Sequence, residues 1–171
     1  LHGRRLPIYG DGMQIRDWLY VDDHCRAIEL CLDRGLSGEV YNIGGDNERP
    51  NIEIVHKLCG LIDARVAADE RLSRAFPECR ASVGGSSLEL LEHVNDRPGH
   101  DRRYAIDFQR AKRELGYVPL ESFESGFEKT VTWYLENEQC IRRIAPNAHL
   151  GLVVPKGIEV WIDATGKARC A

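Results

Sequence analysis

An α/β fold, with a small mixed sheet and several helices, is what this sequence predicts, on three observations. Short segments at Leu6–Tyr9, Asp17–Val21 and Glu39–Ile43 are apolar, β-branched or aromatic and stop at turn residues, as strands do. Longer runs after Asp22 or Asp23, after Asn51 and after Ser122 repeat apolar residues every three to four positions, the period of a helix with one buried face. The two kinds of segment alternate along the chain instead of separating into a β half and an α half.

The first strand, Leu6 to Tyr9, runs into Gly10-Asp11-Gly12, a tight-turn signal. After the second strand, Asp17-Trp18-Leu19-Tyr20-Val21, Asp22 or Asp23 caps a helix whose stripe Ala27, Leu30 and Cys31 ends at Gly35. Glu39-Val40-Tyr41-Asn42-Ile43 alternates as a third strand. It stops at Gly44-Gly45, where another backbone or a ligand can come close. Asn51, after Pro50, is placed to cap the run Ile54, Val55, Leu58, Leu61 and Ile62. Pro77, Gly84-Gly85 and Ser86-Ser87 break any period between Ala64 and Leu91, so a surface excursion without chemistry is expected there. Asp107 caps a short helix that Gly116 ends, and Ser122 starts a longer one with the stripe Phe123, Phe127, Val131, Tyr134 and Leu135. Beyond Cys140 the chain changes in kind. Leu152 to Val154, a Pro155-Lys156-Gly157 turn and the alternating Ile158, Val160 and Ile162 predict a hairpin.

The 171 residues suit one domain, or one and a fraction, and 43% apolar with 29% charged residues is the composition of a soluble globular protein. A net charge of -4 argues against a nucleic-acid partner and requires that any bound anion be met by a local cluster of cations. No apolar run approaches the roughly 18 residues of a membrane span and no signal-peptide pattern opens the chain, so a cytoplasmic location is expected. The six cysteines lack any Cys-x-x-Cys spacing and are read as reduced thiols. His56 with Cys59, and His24 with Cys25, lack the four-ligand pattern of a zinc centre, so no metal site is expected. The chain opens on Leu1 and its one methionine, Met13, lies inside a structured segment; the sequence is therefore expected to begin partway through a longer protein.

The stretch from Asp96 to Asp107 looks most like a site. Pro98 fixes its own φ and holds Arg97 extended, and Gly99 tolerates positive φ, so a sharp turn presents Arg97 and His100 from a stiff backbone. Three arginines, Arg97, Arg102 and Arg103, lie in this stretch, and guanidinium forks bind phosphate oxygens bidentately. The competing reading is a solvated loop in which Asp96 and Asp101 neutralise the arginines. Arg16 has the same two readings: a surface charge paired with Asp17 or Asp11, or a second phosphate ligand beside Arg97. Asn51 is a cap, or serves helix and ligand by turns, because a helix N-terminus also attracts anions. There is no Gly-x-Gly-x-x-Gly fingerprint, no P-loop, no Gly-x-Ser-x-Gly elbow and no Tyr-x-x-x-Lys pair, so the chain shows anion-binding parts without a catalytic engine.

Four blocks of sequence resemble one family. They are Leu6 through His24, Tyr41-Asn42-Ile43-Gly44-Gly45, Asp96 through Asp107, and Phe123-Glu124-Ser125-Gly126 with Trp133-Tyr134-Leu135. They are similar to the C-terminal half of the dTDP-glucose 4,6-dehydratases, extended Rossmann-type short-chain dehydrogenases acting on nucleotide sugars. The resemblance covers residues 1–139, and the Asp96 to Asp107 run is its most particular part. It implies the substrate-binding part of an enzyme whose N-terminal half binds NAD and carries the catalytic residues. No catalytic, cofactor-binding or metal-binding residue is therefore assigned here. The implied reaction converts dTDP-glucose to dTDP-4-keto-6-deoxyglucose by oxidation at C4, loss of water across C5 and C6, and return of the hydride to C6.

Carried over position by position, the resemblance lays Pro7, Ile8 and Tyr9 against the nucleotide and gives the diphosphate to Arg16 and Arg97. Asn51 and the turn Asp96, Arg97, Pro98, Gly99 and His100 complete the pocket. Family members pair as homodimers through the Rossmann half. The interval from Asn51 to Asp96 is longer than is usual for the family and points to an insertion near residues 70–90, and residues 140–171 are a divergent tail. Two alternatives stay open: an epimerase, decarboxylase or dehydratase acting on UDP- or GDP-sugars, and a non-catalytic remnant.

Overall fold

A computed structural model describes residues 1–138 together with the strands Val160–Ile162 and Ala168–Cys170. The chain divides into two units, Leu1–Glu128 and Lys129–Ala171. In order, the elements are β1 (Leu6–Tyr9), β2 (Ile15–Asp17), α1 (Val21–Arg34), β3 (Glu48–Pro50), α2 (Asn51–Ala68) and α3 (Glu70–Ala75). Two 3-10 turns, Arg80–Val83 and Ser87–Leu90, lead to β4 (Leu91–Val94), α4 (Gln109–Leu115) and α5 (Phe123–Glu136). β1 runs parallel to β4 with Leu6 opposite Leu91, and β2 runs antiparallel to β3 with Ile15 opposite Pro50. The α/β class with small mixed sheets is as the sequence predicts.

The core of the first unit gathers Ala27 of α1, Phe108, Ala111 and Leu115 at α4, and Tyr117, with Leu30, Cys31, Tyr41 and Ile43 packed on it. Phe108 meets Tyr117 edge-on at 5.8 Å, and the Tyr117 hydroxyl donates to the Gly44 carbonyl at 3.0 Å, so the one polar atom of this buried ring is satisfied. Burial pushes the Tyr117 phenol up to about 12. Gly116 closes α4 at φ 72°, as a left-handed C-cap does, and the Asp107 carboxylate accepts the Gln109 N–H at its start. Ser122 accepts the Ser125 N–H and so caps α5 as expected.

Four expectations need correction. The second strand is Ile15–Asp17, two residues earlier than predicted, and Tyr20 occupies the N-cap of α1. The cause is Asp17, whose carboxylate accepts the N–H groups of Gly45 and Asn47 at 2.7 and 2.8 Å and ties the 44–47 loop across the strand end. Asp22 and Asp23 fall in the first turn of α1, and Asp23, 3% exposed, reaches away to accept from Leu120 N and Glu121 N at 2.9 Å each. Residues 39–43 form no strand: they belong to none of the described ladders. Asn51 is the first residue inside α2, with Pro50 at the cap. The stretch from Ala64 to Leu91, expected as a surface excursion, is held by Asp63, which accepts from the Ser86 and Ser87 hydroxyls and from Ser87 N, and its Val66, Phe76 and Cys79 are buried.

The close approach expected at Gly44-Gly45 is made by the chain itself: a Cβ on Gly45 would lie 2.3 Å from the Trp18 carbonyl oxygen. In the second unit, Asn137 donates to the Trp133 carbonyl at 2.8 Å, and Val160–Ile162 pairs antiparallel with Ala168–Cys170. The Pro155-Lys156-Gly157 turn and the expected strand Leu152 to Val154 lie outside the described residues. Among the described residues, no helix is long and apolar enough to cross a membrane.

Candidate anion-binding site

Residues 96–104 form the predicted turn and then lie along β2. The His100 N–H donates to the Arg97 carbonyl at 3.3 Å, and Gly99 has φ 71° with open space around its Cα, so conformation and not crowding selects glycine there. Further on, Ile15 N donates to Arg102 O at 2.8 Å and Tyr104 N to Ile15 O at 3.0 Å, which bonds the segment to β2 on both sides of Arg103.

One carboxylate sets the turn. Asp96 accepts the Gln14 side-chain N–H at 2.9 Å, the Arg97 backbone N–H at 2.9 Å and a hydrogen bond from the His100 ring at 2.7 Å. The His100 bond, joined by the Arg97 N–H, holds the Asp96 carboxyl below its ordinary value. Gln14 is buried, and its own carbonyl takes the Asn51 N–H at 2.9 Å. His100 in turn meets the exposed Tyr9 ring edge-on at 6.4 Å. On β1, Pro7 and Tyr9 are exposed, while Ile8 is buried and presents almost no surface to a ligand.

The arginines sort themselves. Arg102 donates through Nη1 alone to both carboxylate oxygens of Asp11 at 2.8 and 3.0 Å, and Arg103 is bidentate on Glu48 at 2.7 and 2.9 Å. Asp101 accepts the Tyr104 hydroxyl, and Asp17 is occupied by the 44–47 loop. The Arg97 guanidinium consequently has no hydrogen bond or ion pair among the described residues. Arg16 pairs with neither Asp11 nor Asp17. Its Nη1 donates to the carbonyls of Ile15 and Asp101 at 2.7 and 3.1 Å, and its Cζ sits 4.6 Å from the Tyr104 ring centroid. Nε and Nη2 of Arg16 are left with no partner among the described residues, and they are one edge of the fork that grips phosphate oxygens.

Both free cations act electrostatically on Tyr104. The Asp101 carboxylate raises the Tyr104 phenol above its ordinary value, and Arg16 and Arg97 pull it the opposite way, so the two guanidinium groups act on the same ring. Asn51 also lies at this side: its carboxamide is half-buried and makes no hydrogen bond among the described residues. The N–H groups of Asn51 and Ile52 are used by the carbonyls of Gln14 and Gly12 at 2.9 and 2.8 Å, so the start of α2 is not an open anion site. The arrangement can bind a phosphate-bearing ligand through two arginines, with an exposed tyrosine and a carboxamide beside them.

A family model described as GDP-mannose 4,6 dehydratase matches residues 1–130. The chain belongs to that family. Within it, the dTDP-glucose 4,6-dehydratase of Salmonella typhimurium is 48% identical over 169 residues, which cover 99% of this chain and 40% of that protein. The enzyme of the same name from Neisseria meningitidis serogroup B is 51% identical over 138 residues, 81% of this chain and 36% of that protein. Among solved structures, the dTDP-glucose 4,6-dehydratase of Bacillus anthracis in complex with NAD is 42% identical with a TM-score of 0.61, covering 80% of this chain and 36% of that one. The Streptomyces venezuelae enzyme with NAD and TYD bound is 38% identical with a TM-score of 0.64, covering 81% and 36%. The resemblance read from the motifs is thus borne out. The chain spans 36–40% of the length of these relatives.

Two residues of the site escaped the sequence reading. Gln14 has no local signature, because a single glutamine at a strand end reads as surface. Tyr104 does carry a local signal, as the one aromatic residue between Asp96 and Asp107, beside three arginines.

Proposed function

We propose that this chain is the dTDP-sugar-binding part of an NAD-dependent dTDP-glucose 4,6-dehydratase, and that Arg16 and Arg97 hold the diphosphate. The observation that carries the reading is the sorting of charge: Arg102 and Arg103 are held by acidic partners, whereas the two arginines the motifs assign to the diphosphate have none among the described residues and both act on Tyr104. On this reading Pro7 and Tyr9 lie against the nucleotide, and the buried Ile8 between them anchors their strand. Asn51 supplies a carboxamide, and Asp96, Pro98, Gly99 and His100 shape the turn that presents Arg97. The names of the relatives support the substrate.

NAD belongs, in this proposal, to the part of the enzyme outside this sequence. The residues present do not fit the dinucleotide: no glycine fingerprint precedes α1 or α2, and the first N–H groups of α2 are already bonded to loop carbonyls. The chain alone, given dTDP-glucose and NAD, is therefore expected to form no 4-keto-6-deoxy product, whereas the complete protein forms it. Turnover by the purified chain above background contradicts the division of labour. Turnover of a UDP- or GDP-sugar in place of dTDP-glucose by the complete protein transfers the site to a sister enzyme.

The same reading accounts for an uncovered face. Val21, Cys25, Ile28 and Leu32 recur at helical spacing along α1 and are exposed, Leu32 by 84%. We assign this stripe to packing against the NAD-binding half, which on this reading also carries the homodimer contacts. The isolated chain is expected to self-associate, with light-scattering mass rising with concentration, and Leu32→Lys should reduce the rise. A concentration-independent monomer speaks against it.

A further inference from the structure

We propose that Tyr104 is a positioning residue that holds the Arg16 guanidinium for its anionic ligand, a role that rests on the reading of Arg16 as a diphosphate ligand. The Arg16 Cζ lies over the ring, 4.6 Å from its centroid, so the guanidinium rests against one face of Tyr104. The carbonyls of Ile15 and Asp101, both taken by Nη1, fix its orientation on that face. Only Nε and Nη2 remain, and they form a single edge with one direction of approach.

Tyr104 is itself held at both ends. Its backbone N–H donates to Ile15 O at 3.0 Å, and its hydroxyl donates to the Asp101 carboxylate at 2.5 Å. Asp101 therefore serves twice, giving its carbonyl to Arg16 and its carboxylate to the tyrosine that Arg16 rests against. The ring is 54% exposed and absent from the buried core, so packing does not account for so defined a placement. A long arginine side chain loses rotamer freedom when it grips a ligand, and a residue that removes that freedom beforehand raises affinity without touching the ligand.

The test is calorimetry on the complete protein with dTDP and with thymidine, which lacks the diphosphate. Tyr104→Leu is expected to weaken dTDP binding about three- to ten-fold and to leave thymidine binding unchanged. Tyr104→Phe, which keeps the ring, should retain most of the affinity. In an Arg16→Ala background, Tyr104→Leu should cost nothing further. A Tyr104→Leu protein that binds dTDP like the parent, or that loses thymidine equally, overturns the role. So does a full additional loss in the Arg16→Ala background. If Arg16→Ala itself binds dTDP like the parent, the diphosphate reading falls and takes this role with it. A loss in Arg16→Ala with none in Tyr104→Leu overturns the role of Tyr104 alone.

Discussion

Arg16→Ala and Arg97→Ala are each expected to weaken dTDP-glucose binding by the complete protein by about 1.5–3 kcal/mol, the range for hydrogen bonds to a charged group. Neither arginine has an acidic partner among the described residues, so removing it strands no carboxylate, and the loss reports on the ligand directly. Lysine at either position should recover only part of the affinity, because an ammonium is a point charge and cannot present two parallel N–H groups. Arg65, exposed on the last turn of α2, is the control and should bind like the parent when changed to alanine. Calorimetry decides the matter. An Arg97→Ala protein with unchanged affinity, or an Arg65→Ala protein with an equal loss, returns the turn to a solvated loop.

Asp23→Ala is expected to destabilise the fold by about 2–4 kcal/mol, because it leaves the Leu120 and Glu121 N–H groups and the Arg26 guanidinium without their shared acceptor. The carboxylate is nearly fully buried and fastens the loop between α4 and α5 to the first turn of α1. Burial by itself pushes the Asp23 carboxyl up, but the N–H groups of Glu121 and Leu120, with Arg26, outweigh it and hold the carboxyl below its ordinary value. A carboxyl with a depressed folded-state value adds stability that is fully present above its unfolded value and is lost as pH falls through the folded one. The parent should therefore lose this contribution below about pH 4, and the difference between parent and Asp23→Ala should shrink there. Urea unfolding at neutral and at acid pH measures both. A change within about 0.5 kcal/mol at neutral pH, the scatter of ordinary surface substitutions, contradicts the assigned role.

What the sequence disclosed depended on how local the physics was. The Pro98-Gly99 turn, the Gly116 cap and the Ser122 cap were legible because proline's fixed φ, glycine's tolerance of positive φ and serine's short hydroxyl act within a few residues. Arg97, Arg102 and Arg103 were indistinguishable as letters. They separate only because Asp11 and Glu48, 91 and 55 residues away in the chain, claim two of them. The same distance hid β4, whose polar Glu92 and His93 carry no strand pattern and which exists by pairing with β1. Residues 39–43 failed in the opposite way. Their alternation states which side chains a strand would bury, but not whether a neighbouring strand is present. The cap at Asn51 was misplaced by one residue because loop carbonyls, invisible in a local pattern, met the orphan N–H groups of α2.

A crystal structure of the complete protein with dTDP bound bears most directly on the diphosphate clamp. The free edge of Arg16 and the guanidinium of Arg97 are both expected within about 3 Å of diphosphate oxygens, with the base against Tyr9. A diphosphate seated away from the 96–104 segment, or held there with both arginines turned elsewhere, would contradict the proposed site.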